Sequence, residues 1–187
     1  ACGSDMEAKM DILRQCQHAQ IFRLTVQDLA GQWTVEALSD ELSRLADLIL
    51  EQTLIHAWQS VPKRHLDAPK FAIIAYGKLG GKELGYASDV DAMFVIPDDS
   101  GPDGQVAAAR LVRLACDLVG RPGPDPAMVV DADLRPEGKG GPLVRTKSSY
   151  LTYYAKWASA WEAQALLRAR PAAGAQELAA AVLDELA

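Results

Sequence analysis

The chain has 187 residues, 49% of them apolar and 24% charged, with a formal net charge of -6, so it can build one well-filled domain core. That acidic balance excludes a binder whose affinity rests on neutralising phosphates, and no nucleic-acid partner is expected. No uninterrupted apolar run approaches the roughly 20 residues of a membrane-spanning helix, so no membrane partner is expected either. Cys2, Cys16 and Cys116 are odd in number and lack any CxxC or Cys/His spacing. They read as thiols of a reducing compartment, and a cytoplasmic location is expected. Residues 1–5 are too short and too polar for a signal peptide and carry no further argument.

Residues 6–60 lack strand alternation and are rich in Leu, Ala, Gln and Glu, a helical composition. Leu38, Leu42, Leu45, Ile49 and Gln52 keep the spacing of one helix face, with Leu48 and Leu54 widening the stripe. Thr34 is placed to cap that helix, Glu36 to complement its dipole, and Gly31 to end the segment before it. Residues 62–69 form a polar connector with two prolines, and residues 71–76 an apolar run of strand length. After the glycine-rich stretch that follows, residues 92–96 read as a buried strand and residues 98–104 as a loop. Val106, Ala109, Val112, Ala115 and Val119 repeat at helical spacing. A proline-rich break at 121–126 precedes a strand over 127–134, interrupted by Asp131 and Asp133. A second glycine loop spans 137–142, and the remainder reads as helix with a break near Pro171 and Gly174. The expected class is α+β, divided into an N-terminal helical segment (1–66), a core (67–146) and C-terminal helices (147–187).

The chemistry concentrates in Gly77-Lys78-Leu79-Gly80-Gly81-Lys82-Glu83-Leu84-Gly85-Tyr86-Ala87-Ser88-Asp89-Val90-Asp91. In a strand, side chains at i and i+2 share a face, so Asp89 and Asp91 project together. Two carboxylates forced together repel, and a cation between them is the natural explanation. A Walker loop needs four residues between Gly and Gly-Lys, followed by Ser or Thr; here three separate Gly77 from Gly81, and Glu83 follows Lys82. The dinucleotide fingerprint GxGxxG is absent as well. What remains is a strand, a glycine turn, a short helical piece and Ser88-Asp89-x-Asp91 entering a second strand. Glycines let backbone amides approach phosphates, Ser88 can donate a hydroxyl to the same oxygens, and Mg²⁺ favours a few carboxylates plus phosphate oxygens. A bare DxD would read as surface aspartates after a turn. The loop, the serine and the apolar strand together favour a site.

Gly77-Lys78-Leu79-Gly80-Gly81-x-Glu83-Leu84 leading into Ser88-Asp89-x-Asp91 resembles the signature of the glutamine synthetase adenylyltransferase family, whose members both adenylylate and remove AMP. Three further stretches carry the resemblance: Leu13-Arg14-Gln15 through His18-Ala19-Gln20 and Asp28-Leu29-Ala30-Gly31; Val130 through Pro136; and Trp161-Glu162-x-Gln164-Ala165-Leu166-x-Arg168-Ala169-Arg170. It implies a DNA-polymerase-β-like nucleotidyltransferase fold, with a small mixed sheet and flanking N- and C-terminal helices. It also implies three carboxylates holding two Mg²⁺ ions, and these map onto Asp89, Asp91 and Asp131. Asp91 and Asp131 would hold the catalytic ion, Asp131 assisting deprotonation, and Asp89 and Asp91 the nucleotide-bound ion. Gly77, Lys78, Gly80, Gly81, Ser88 and Arg135 are the candidate nucleotide contacts. Asp133 is open between a partner for Arg135, a substitute ligand and a solvated strand-end residue.

The resemblance implies transfer of AMP from ATP to a tyrosine of glutamine synthetase, with the PII signal protein acting through a full-length enzyme. Its closer likeness is to the C-terminal, adenylylating half, through His18-Ala19-Gln20, Arg23 and Leu84-Gly85-Tyr86. Phosphorolytic removal of AMP, a non-catalytic nucleotide-sensing module, and transfer to a small molecule or RNA end are the alternatives. Tyr150, Tyr154, Trp157 and Trp161 read as one helix face packed in the core. His18, His56 and His65 share no ligand spacing, and Arg168 and Arg170 are expected in structural ion pairs.

Overall fold

A computed structural model describes residues 2–61, 67–120, 128–133 and 135–186, with the side chains of residues 2–6 left aside. The order is α1 (Cys2–Leu29), α2 (Val35–Ser60), β1 (Ala72–Ala75), α3 (Gly77–Gly80), β2 (Val90–Ile96), α4 (Gly101–Gly120), β3 (Val130–Asp131), β4 (Val144–Thr146), α5 (Lys147–Lys156), α6 (Ala160–Leu166), β5 (Arg170–Gly174) and α7 (Gln176–Leu186). The expected α+β class is what these elements form. The architecture is consistent with a nucleotidyltransferase-like fold.

The sheet is mixed. Its path runs β3-β2-β1-β5, and β4 pairs with the far end of β2 on the side where β3 pairs with its beginning. β1 is antiparallel to β2 and to β5, whereas β3 and β4 run parallel to β2. Strand alternation divides the core into two layers. Phe71, Ile73 and Ala75 with Ala92, Phe94 and Ile96 pack against α1, α2 and α4. Ala72, Ile74 and Tyr76 with Met93 and Val95 pack against Tyr150 of α5 and Ala179 and Val182 of α7.

Helix α2 starts where the sequence says it should: the Thr34 hydroxyl accepts the Ala37 N–H at 3.3 Å. Its buried stripe includes Leu38, Leu42, Ile49 and Leu54, but Leu48 is exposed. Gly31 turns the chain after α1 at φ +70°. In α4, Val112 and Val119 are buried as expected; Leu111 and Leu118 complete the buried face, and Val106 faces solvent.

Four local expectations are corrected. The stretch 98–104 is not a loop, because a 3-10 turn at Asp98–Ser100 runs directly into α4, whose first turn tolerates Pro102. Among the described residues, the strand expected over 127–134 is paired at Val130–Asp131; residues 121–127 and Leu134 lie outside the described residues, as do 62–66 of the connector. The break at Pro171 and Gly174 is β5, an edge strand whose pairing with β1 shifts register between Ile73 and Ile74, opposite Pro171. Trp157 and Trp161 are 66% and 57% exposed rather than core. Helix α5 stops at Lys156, and a capping box begins α6: Ser159 Oγ and Glu162 each bond the other's backbone, which breaks the aromatic periodicity.

Candidate functional site

The site grows from the register of three strands. Ala75 pairs with Ala92, and one residue further the Tyr76 N–H donates to the Asp91 carbonyl at 3.2 Å, so Tyr76 stands opposite Asp91. On the other side of β2, Asp91 is the register partner of Asp131. Opposed residues in adjacent strands share a face. Tyr76, Asp91 and Asp131 therefore form a row across β1, β2 and β3, at the end of the apolar stripe made by Met93 and Val95. Asp89 precedes β2 by one residue and lies two positions from Asp91, as the DxD pattern requires.

The glycine turn shapes the pocket around Asp91. Gly77 adopts φ +58°, and a Cβ placed on it would lie 2.0 Å from Asp91 Oδ2, so the missing side chain is the space that the carboxylate fills. Gly80 is needed for close approach, since a Cβ there would meet the Arg168 carbonyl oxygen at 2.3 Å. The expected short helical piece falls on the glycines themselves, Gly77–Gly80, not after them. The Gly80 and Gly81 amides are consumed inside this turn, donating to the Tyr76 and Gly77 carbonyls at 3.0 and 3.1 Å. The Lys78 backbone amide lies where it favours the charged form of the Asp91 carboxylate.

Burial raises the Asp91 carboxyl above its ordinary value, and the charges of Asp131 and Asp89 raise it further. The Lys78 amide and ammonium oppose that rise. The three acids thus feel one another, yet among the described residues no three Asp, Glu, His or Cys side chains converge as a metal cage. Asp131 Oδ1 accepts the Asp133 N–H at 2.7 Å. An all-oxygen set of crowded carboxylates has the donor chemistry of a hard divalent cation, and the repulsion at Asp91 is what such a cation would relieve.

The other candidates are placed as follows. Ser88 Oγ accepts the Gly85 N–H at 3.1 Å, which leaves its own O–H to donate. Arg135, expected against phosphate, is only 11% exposed in its side chain, and its guanidinium donates to the Ala132, Gly141 and Lys139 carbonyls at 2.7, 3.3 and 3.4 Å. It pins the second glycine loop. Asp133 pairs with Arg135 at 3.5 Å and Lys139 at 3.2 Å, the first of its open alternatives. Arg168 pairs with Glu83 at 2.6 Å, and Arg170 grips Asp47 with two bonds of 2.7 and 3.0 Å, as expected of structural ion pairs. Among the described residues, His18 and His56 join no group of three potential metal ligands, and His65 lies outside the described residues.

Two residues escaped the sequence reading. Buried Arg145 donates to Glu137 at 2.5 Å and to Ser149 at 3.1 Å, holding Glu137 at φ +64° at the start of the second loop. Nothing in its local sequence marks it. Tyr76 could have been found, since it ends the apolar run immediately before Gly77 and must face whatever enters the next strand.

A family model described as glutamate-ammonia ligase adenylyltransferase matches residues 1–185. The bifunctional glutamine synthetase adenylyltransferase/adenylyl-removing enzyme of Chromobacterium violaceum is 54% identical over 171 residues, 91% of this chain and 19% of the relative. That of Neisseria meningitidis serogroup B is 50% identical over 179 residues, 95% of this chain and 20% of the relative. The like-named protein of Cutibacterium acnes is 40% identical over 180 residues, 96% of this chain and 18% of the relative. The chain spans about a fifth of the length of these curated relatives. The match runs almost end to end and takes in the glycine turn and all three acids, so the chain belongs to the glutamate-ammonia ligase adenylyltransferase family.

Proposed function

We propose that this chain is a Mg²⁺-dependent nucleotidyltransferase centre that moves AMP from ATP to a tyrosine of glutamine synthetase. The observation that carries the reading is the row of Asp91 and Asp131 beside Asp89, crowded enough to raise the Asp91 carboxyl. In this reaction the tyrosyl oxygen forms a bond to the α-phosphorus, the bond from that phosphorus to the bridging oxygen breaks, and pyrophosphate leaves. The hydroxyl proton passes to a carboxylate and then to solvent, and Asp131 is the acid assigned to receive it. Asp89, Asp91 and Asp131 would hold two Mg²⁺ ions, which supply charge neutralisation for the attacking and leaving oxygens when bound.

Around that centre the Lys78 ammonium and the Ser88 hydroxyl are the proposed phosphate contacts, with Gly77, Gly80 and Gly81 giving the turn its close approach. Arg135 contributes by holding the second glycine loop. Within the family's bifunctional enzymes, the stretches around His18 and Leu84-Gly85-Tyr86 favour the adenylylating half. Tyr86 Oη donates to Asp28 of α1 at 3.2 Å, tying the glycine turn to the N-terminal helix. A PII-type signal protein would act on the longer enzyme.

The test is to incubate the purified chain with Mg²⁺, ATP and glutamine synthetase, and to look for an AMP adduct on the synthetase by intact mass. An adduct is expected. Unchanged mass beside an active full-length control would remove the claim that these residues suffice. Supplying adenylylated synthetase with phosphate instead, and finding ADP, would assign the chain to the AMP-removing half.

A further inference from the structure

Three phenols lie on the sheet face that carries the acids. Tyr150 donates to the Phe94 carbonyl at 3.2 Å, and the Tyr154 hydroxyl reaches Met93 Sδ at 4.0 Å. The third, Tyr76, is 2% exposed, and its hydroxyl has no hydrogen-bond partner among the described residues. Burying a hydroxyl in that state is destabilising, and phenylalanine would fill the same space without it. Burial and then Tyr150 raise this hydroxyl above the ordinary tyrosine value, and Asp91, Tyr154 and Asp131 raise it further, so the charges of both acids reach it. Its place in the strand register makes Asp91 its direct cross-strand neighbour. The Lys78 amide favours the charged Asp91 carboxylate, and a carboxylate accepts several donors.

We propose that Tyr76 is a positioning residue for the acid row: its buried hydroxyl is kept to donate to the Asp91 carboxylate once the acids turn inward around cation and nucleotide. The inference rests on the proposed function, because it assigns the hydroxyl to the arrangement that binding creates. Tyr76 touches neither substrate nor cation and acts through Asp91. Partners that orient a ligating carboxylate typically alter metal affinity or activity 10- to 100-fold when removed, and that is the effect expected of losing this hydroxyl.

The experiment compares wild type, Tyr76→Phe, Tyr150→Phe and Asp91→Asn. Mn²⁺ binding is measured by calorimetry with a non-hydrolysable ATP analogue, and melting in chelator without nucleotide. Tyr76→Phe should melt at the wild-type temperature or higher yet bind Mn²⁺ roughly 10- to 100-fold more weakly. Its kcat should fall while KM for the acceptor stays unchanged. Tyr150→Phe, which loses a made bond, should melt lower and bind Mn²⁺ as wild type does. Wild-type Mn²⁺ affinity in Tyr76→Phe, or a lowered melting temperature with affinity intact, overturns the assignment. If wild type and Asp91→Asn both fail to bind Mn²⁺, the acid site itself is refuted, and the role of Tyr76 falls with it.

Discussion

Replacing Gly77 by alanine isolates what the glycine turn does for the acids, because Gly31 supplies a matched control. Both glycines sit in the left-handed region, at φ +58° and +70°, where an L-residue costs about 1–2 kcal/mol. Around Gly31 a new Cβ would meet nothing within 4 Å, so Gly31→Ala should show only that strain. For a chain of this size the strain is a fall in Tm of about 2–8 °C, with AMP transfer intact. At Gly77 the same Cβ would lie 2.0 Å from Asp91 Oδ2, below the 3.0 Å that real Cβ atoms respect, and the carboxylate must retreat by the difference. Retreat takes the carboxylate away from the Lys78 amide, which favours its charged form, and a donor's interaction with a charged group contributes about 1.5–3 kcal/mol. Gly77→Ala should therefore lose about 2.5–5 kcal/mol in all. Displacing a reacting-centre ligand by about 1 Å should lower transfer on the order of 100-fold. Thermal melting and the intact-mass assay read the two effects separately. If Gly77→Ala transfers AMP within about twofold of wild type, or if Gly31→Ala is as inactive as Gly77→Ala, the reasoning about the Asp91 cradle is wrong.

Asp91→Asn should abolish transfer and, in chelator, stabilise the fold. The folded Asp91 carboxyl titrates above its unfolded value, so the unfolded chain releases that proton first. The native state is then penalised as pH rises from the unfolded value through the raised one. Melting curves from acid to neutral pH should show no advantage for Asp91→Asn at the acid end and a plateau of extra stability above the raised value; an advantage that shrinks with rising pH contradicts the crowding. Arg170→Ala removes two bonds to Asp47 and one each to the Leu79 and Pro171 carbonyls in a partly buried setting, and should cost about 2–3 kcal/mol. Arg168→Ala, whose pair with Glu83 is more than half exposed at both ends, should cost under about 1 kcal/mol. Equal losses on denaturation would show that burial does not rank these pairs.

The parts of the site that sequence revealed are those governed by strand period. Asp89 and Asp91 follow from i, i+2 alternation, and the apolar residues after them identify β2 as a central strand. Asp131 needed the family resemblance, because among the described residues its strand pairs over two residues and no pattern that short is visible. The strand β5 was hidden for a different reason. Pro171 and Gly174 look like breakers, yet an edge strand tolerates both where the pairing shifts register, as it does opposite Ile73 and Ile74. The aromatic face misled because spacing alone cannot show where a helix stops. Ser159 and Glu162 held that signal, the Ser-x-x-Glu of a capping box, and it outranks the periodicity that ran through it. Arg135 is conspicuous in sequence as a basic residue beside three acids, but the backbone carbonyls that engage it here are ones sequence cannot locate.

Asp91 is held in a strand whose next five residues are all buried, flanked by β1 on one side and by β3 and β4 on the other. A ligand on such a strand is positioned more rigidly than one on a loop, which is what in-line transfer demands. The same burial makes the ionised carboxylate costly, and its neighbours Asp131 and Asp89 add to the cost. The fold offsets that cost locally: Gly77 gives up its side chain to make room, and the Lys78 amide supplies a donor. Both compensations come from the turn directly after β1, and Tyr76, the residue just before it, is the cross-strand neighbour of Asp91. Three consecutive residues, Tyr76, Gly77 and Lys78, thus serve one aspartate in a neighbouring strand. The glycine-rich signature is on this argument as much a device for holding Asp91 as one for approaching phosphate.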